Sequence, residues 1–169
     1  MKFLFTSLAF LIIASCNREP KDFKGFGQLE LGSEFGTLAN DFAFDSSIPN
    51  EHFISEMDLS DGLGKVANVN ITTREGKISE VRFTTTPSTN AGEFQKILSG
   101  LDTLGMPGQM SAVVRATKVR AYLEKKDSIF VAVTEKDKRS GFTPHQYTYQ
   151  DMASVRAKIQ DARKRMGLK

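Results

Sequence analysis

Beyond Cys16 this chain of 169 residues contains no cysteine. No disulfide can staple the remaining residues to one another, so their fold must be held by apolar burial. A segment of this length suits one domain with a sizeable core. With 13 Phe, 3 Tyr and no Trp, phenylalanine carries most of the aromatic bulk for that core. Cys16 itself closes a short apolar run, Phe3 to Ile13, interrupted only by Thr6 and Ser7 and preceded by Lys2. A basic start, an apolar stretch of roughly 7–15 residues and small residues before a cut describe a secretory leader. The run stops short of the ~20 apolar residues that a membrane-spanning helix requires.

Ile13-Ala14-Ser15-Cys16 resembles the lipobox of bacterial lipoproteins. The resemblance implies a signal peptide over 1–15, cleavage before Cys16, a diacylglyceryl thioether on its sulfur and a further acyl group (palmitate or similar) on its amine. Several acyl chains make release from a bilayer very slow, since each buried methylene contributes about 0.8 kcal/mol. Family sorting rules place an aspartate after the cysteine in inner-membrane proteins. Asn17 stands there instead, which implies the outer membrane, facing the periplasm. A plain secretory leader with an incidental Cys16 is the alternative reading of the same residues.

Residues 16–25 read as the lipidated cysteine and a polar tether, Asn17-Arg18-Glu19-Pro20-Lys21-Asp22 included, with a reach of about 30 Å at roughly 3.3 Å per residue. Residues 26–169 read as a single domain. Its charge is polarised. Between Gly25 and Gly64 stand Glu30, Glu34, Asp41, Asp45, Glu51, Glu56, Asp58 and Asp61 with no Lys or Arg, whereas Val155 to Lys169 carry Arg156, Lys158, Arg163, Lys164, Arg165 and Lys169 against Asp161 alone.

Periodicity predicts a strand over 27–32, then a short helix capped by Ser33 with Phe35, Leu38, Ala39 and Phe42 on one face. The Asp, Ser, Pro and Gly content of 45–64 predicts irregular chain. Around Thr73-Arg74-Glu75-Gly76-Lys77 the pattern predicts a hairpin. A three-residue loop ending in Gly76 pairs Val69 with Val81 and Ala67 with Phe83, and this register is favoured because it gathers the apolar side chains on one face. A two-residue loop at Glu75-Gly76 pairs Ile71 with Glu80 instead. Asn90-Ala91-Gly92-Glu93 predicts a capping box for a helix presenting Phe94, Ile97, Leu98 and Leu101, ending near Gly105-Met106-Pro107-Gly108. Val119, Ala121 and Leu123 face Ile129, Val131 and Val133 across a turn at 125–128, a last strand spans 145–149, and Asp151 caps a basic C-terminal helix striped with Met152, Val155, Ile159, Ala162 and Met166. Two rounds of helix followed by hairpin predict an α+β fold, an antiparallel sheet with two or three helices packed on one face. Leu31-Gly32-Ser33 before one helix and Leu104-Gly105-Met106-Pro107 after another resemble small envelope lipoproteins of the outer-membrane barrel-assembly machinery, which implies the same class.

Motifs for chemistry are sparse. His52 and His145 lie far apart, with no H-E-x-x-H spacing, no G-x-S-x-G elbow and no phosphate loop, so no catalytic residue, metal or cofactor is expected. Asp58-Leu59-Ser60-Asp61-Gly62 has a superficial likeness to a calcium loop, but its twelfth position is Val69 rather than Glu. His145, Tyr147 and Tyr149 share one strand face and read either as a ligand-binding strip or as half-buried sheet positions. The basic helix, Arg163, Lys164 and Arg165 above all, reads as solubility and helix-dipole chemistry, as a lipid-headgroup contact or as a dock for an acidic partner. Nucleic acid is not an expected partner of an exported chain. The expectation is a lipid-anchored envelope protein, non-catalytic, that binds a protein or envelope component. Its alternatives are an envelope hydrolase without a recognisable motif, and an inhibitor or immunity-type protein that blocks an exported enzyme through Asp58 and Asp61.

Overall fold

The computed structural model describes residues 22–104, 119–124, 128–136 and 141–167. The leader, Cys16, most of the expected tether, the expected helix stop at 105–108 and the turn residues 125–127 lie outside the described residues. The fold is α+β and dominated by antiparallel sheet. A small hairpin, β1 (Gly25–Phe26) and β2 (Leu29–Glu30), is followed by helix α1 (Phe35–Ala39). Strands β3 (Asp45–Ile48), β4 (Glu51–Leu59), β5 (Gly64–Arg74) and β6 (Lys77–Thr89) follow as a meander. Helix α2 (Ala91–Leu98) leads to β7 (Asp102–Leu104), β8 (Val119–Leu123), β9 (Ile129–Glu135) and β10 (His145–Asp151), and helix α3 (Met152–Arg165) comes last. The eight strands β3 to β10 form one sheet in the order β3-β4-β5-β6-β10-β9-β8-β7, with β10 bridging the two meanders antiparallel to both neighbours.

The segment 45–64, expected to be irregular, forms β3 and the whole of β4. Asp45, Glu51, Glu56 and Asp58 sit on strand positions that face water, and Phe53 is exposed between them, so the alternation looked polar. The alternation also slips. Inward positions pass from His52 and Ile54 to Met57 and Leu59, while β5 makes the matching slip from Val66 to Val69 around Asn68, whose φ is 52°.

The central hairpin solves its register differently from either expectation. Glu75 and Gly76 form a two-residue turn with φ of 53° and 77°, the type I′ geometry that matches strand twist. Left alone, that turn would oppose apolar to polar side chains. One extra residue, Ser79, bulges between the pairs Thr73↔Ile78 and Thr72↔Glu80, after which Ile71 pairs with Val81. Its hydroxyl donates to the Thr72 carbonyl at 3.0 Å. The turn obeys local twist, and the bulge restores the apolar face.

That face carries the core. Rows of cross-strand partners run Val81–Tyr149–Val131–Tyr122 and Phe83–Tyr147–Val133–Arg120 across β6, β10, β9 and β8. On β8 the aromatic side is thus joined by Tyr122, which is buried, and Arg120, which is exposed; of the expected Val119, Ala121, Leu123 face, Ala121 is buried on the other side of the sheet while Val119 and Leu123 are half-buried. The β1–β2 hairpin closes over these rows. Phe26 and Leu29 are fully buried, and the Phe26 ring stacks on Phe94 at 4.8 Å and meets Phe83, Tyr147 and Tyr149 edge-on. The Tyr149 hydroxyl donates to the Leu29 carbonyl at 2.5 Å, so the deepest phenol of the core is satisfied. Residues 27–32, expected as one strand, instead turn at Gly27 (φ 58°) to make this hairpin. Phe23, placed in the expected tether, packs its ring against Phe26 and Tyr149.

α1 contributes Leu38 to the core. Its N-cap is Glu34, without a side-chain cap bond, because the hydroxyl of Ser33 turns back to the Glu30 carbonyl. α2 contributes Phe94 and Leu98 and stops at Ser99, well before the expected 105–108. Asn90 caps it at the Glu93 amide, while the Asn90 amide goes to the Leu63 carbonyl rather than back to Glu93 as a full capping box would require. α3 lies elsewhere. Its Lys158 meets Glu80 and Gln150, whose strand neighbours Val81 and Tyr149 point into the core, so α3 stands on the opposite side of the sheet.

Candidate functional site

Where α2 crosses the core face it leaves a cleft of about 150 Å³. The floor is apolar: Phe94 and Leu98 from α2, Val133 from β9 and Tyr147 from β10. Around it stand Arg120, Glu135, His145 and the threonines Thr85, Thr86 and Thr89. Strand pairing explains this assembly. His145 lies opposite Glu135, and its amide donates to the Thr85 hydroxyl at 2.8 Å, which makes a polar row at the open end of the aromatic rows. One register step inward, Arg120 shares a row with Val133 and Tyr147.

The rim is tied down. The hydroxyls of Thr86 and Thr89 both donate to the Lys65 carbonyl, at 2.8 and 2.5 Å, and Thr89 also accepts from the Thr86 amide. The Asn90 side chain reaches the Gly62 carbonyl at 3.2 Å, which fixes the start of α2 to the β4–β5 turn. Gly64 permits this approach. It has φ 78°, and a Cβ there would stand 2.2 Å from the Ser88 carbonyl oxygen.

Tyr147 is nearly buried at the cleft floor. Burial raises its phenol pKa to about 12, with a further push from Tyr122 and partial relief from the Arg120 guanidinium. It is therefore a neutral donor at physiological pH. The cleft can hold an apolar group on its floor and offer a guanidinium, an imidazole and hydroxyls to an acceptor group at its mouth. Among the described residues no cluster of three or more His, Cys, Asp or Glu is arranged to hold a metal ion.

The expected strip of His145, Tyr147 and Tyr149 divides. His145 and Tyr147 line the cleft, whereas Tyr149 is wholly buried and belongs to the core, with burial raising its pKa far out of reach. Asp58 is an exposed β4 position opposite Lys65, not part of a loop, and its carbonyl accepts from the Gln28 side chain at 2.8 Å. Asp61, with φ 60°, turns the chain from β4 into β5 and faces a second depression with Asp22, Glu30 and Glu124. Arg163, Lys164 and Arg165 form the last turn of α3, on exposed chain remote from the cleft. Arg120 and the three threonines were not legible as site residues. The only signal was Arg120 at period two from Tyr122.

The other histidine is structural. His52 stacks on Phe35 of α1 at 3.7 Å, and its ring nitrogens lie 2.7 Å from the Ser46 hydroxyl and 3.2 Å from that of Thr73. Burial lowers its pKa, which favours the neutral ring.

No protein-family model, no curated protein and no solved structure matches this chain. None of the helices among the described residues is long and apolar enough to cross a membrane.

Proposed function

We propose that this chain is a non-catalytic binding protein of the bacterial cell envelope, held to the outer membrane through lipid on Cys16, with the α2 cleft as its recognition element for a protein segment or envelope component. The observation that carries the binding half is the cleft itself: an apolar floor of Phe94, Leu98 and Tyr147 beside Arg120 and His145. Concave, largely apolar sites with a few convergent polar groups are the usual form of a ligand site. The lipobox carries the address.

Two experiments test the two halves. Expression of the native gene and of Cys16→Ser should give a lipid-modified N-terminus in the membrane fraction, lost on substitution. An unmodified, soluble product from both would end the anchoring reading. A photo-crosslinking residue at Gln95, which is exposed at the cleft wall, should capture an envelope component in cells, and Arg120→Glu should abolish that adduct. An adduct pattern indifferent to Arg120 would remove the cleft from the proposal.

A further inference from the structure

The α3 helix has an apolar stripe that begins half-buried at Val155 and runs out into the open at Ile159 and Met166. Over its 14 residues the 3.6-residue repeat aligns Val155, Ile159, Ala162 and, at the C-cap, Met166. Ile159 is 54% exposed and Met166 64% exposed. On the same projection Arg156 and Arg163 run along one border of the stripe, Lys158, held to Glu80 and Gln150, and Arg165 run along the other, and Asp161 falls beyond them. Apolar residues bordered by long cationic side chains suit a helix lying in a lipid interface, where the stems of Arg lie against acyl chains and their heads reach phosphates.

The position of α3 in the fold supports the same occupant. Phe23, the first aromatic after Cys16, rests on Tyr149, and Tyr149 lies two residues before the N-cap Asp151 of α3. The chain from Cys16 to Asp22 spans no more than about 20 Å when fully extended. The domain as a whole, α3 included, is thereby kept close to any bilayer that holds Cys16.

We infer that α3 lies on an anionic lipid surface, with Val155, Ile159, Ala162 and Met166 in the interface and Arg156, Arg163 and Arg165 at the phosphates. The inference rests on the anchoring reading only for the proximity of the membrane. A helix with so few apolar residues would bind a free bilayer weakly, but an anchored domain samples the surface at a high effective concentration. α3 would then fix the orientation in which the α2 cleft faces away from the bilayer.

Cys16 is the sole cysteine of the chain, so when it carries lipid an introduced thiol takes a label alone. The test places a polarity-sensitive fluorophore on Ile159→Cys or on Asp161→Cys in the full processed protein. The protein is reconstituted in vesicles of phosphatidylcholine, or of phosphatidylcholine with phosphatidylglycerol. The expected result is a blue shift at 159 in the anionic vesicles only, little shift at 161, and loss of the shift in the double variant Arg156→Glu, Arg165→Glu. Water-like emission at both positions in both vesicles would overturn the inference, as would equal shifts at both positions. A helix reserved for an acidic protein or for a second copy of the chain would give the water-like result. The mass of the mature N-terminus, taken on the same sample, reports the lipid on Cys16 separately. Without that lipid, sedimentation of the Cys16→Ser protein with anionic vesicles decides the helix. Binding weakened roughly tenfold or more by the double reversal supports it, and no binding refutes it.

Discussion

Helices α2 and α3 carry the same sequence signal and meet opposite fates. Each opens on an Asn or Asp N-cap whose side chain accepts from the amide three residues on, and each shows apolar residues at i, i+3, i+4 spacing. Yet Phe94 and Leu98 of α2 are 1% and 3% exposed, while Ile159 of α3 is more than half exposed. Periodicity defines a stripe and leaves open what covers it. For α2 the cover is an aromatic face with Phe26 waiting in the β1–β2 hairpin. For α3 the side-chain bonds to the sheet are polar, Lys158 to Glu80 and Gln150 beside a buried Ser154, and the stripe is half-buried at Val155 but open at Ile159.

The contrast predicts a graded set of stabilities. Phe94→Ala removes the ring that stacks on Phe26 and should cost about 3–5 kcal/mol, seen as a large fall in the urea midpoint; a loss below ~1 kcal/mol would mean that α2 is no more embedded than α3. Tyr149→Phe leaves the Leu29 carbonyl buried without its donor, and about 1–3 kcal/mol should be lost. Because that bond holds the β1–β2 hairpin over α2, amide exchange should accelerate first at Phe26 and Leu29. Asp151→Ala removes the α3 cap and should cost about 1 kcal/mol. Its effect should appear as faster amide exchange within α3, while β6 and β10 stay protected; matched acceleration in the sheet would tie α3 to the core after all. Replacement of both Ile159 and Met166 by Ala should change stability in water by no more than about 0.5 kcal/mol each. A larger loss would show that the stripe is packed within the chain.

The hairpins illustrate what patterning can and cannot yield. Alternation located β9 and β10 closely, and the β5–β6 turn was legible from Glu75-Gly76. Its register was not, because the Ser79 bulge exchanges one residue of pairing for a favourable turn, and only the sum of twist and side-chain burial decides that exchange. β4 was missed for a related reason: its inward face shifts phase between Ile54 and Met57, so no single period-two pattern runs through it. The cleft was half legible. Tyr147 and His145 alternate in plain view, but Arg120 and Thr85 join them only through pairing between strands distant in sequence.

By itself the sequence determined the local and compositional matters: the lipobox resemblance at Cys16, a domain without internal disulfides, the helix caps at Asn90 and Asp151, and the basic character of the last helix. Such properties depend on neighbours within a few residues or on composition, so they can be read along the chain. Only the tertiary structure decided that β10 joins the two meanders, that Tyr149 belongs to the core while Tyr147 floors a cleft, and that α3 leaves Ile159 and Met166 uncovered. Those outcomes depend on which distant side chains compete for the same buried volume, and that competition is settled when the β1–β2 hairpin and α2 close over one face of the sheet.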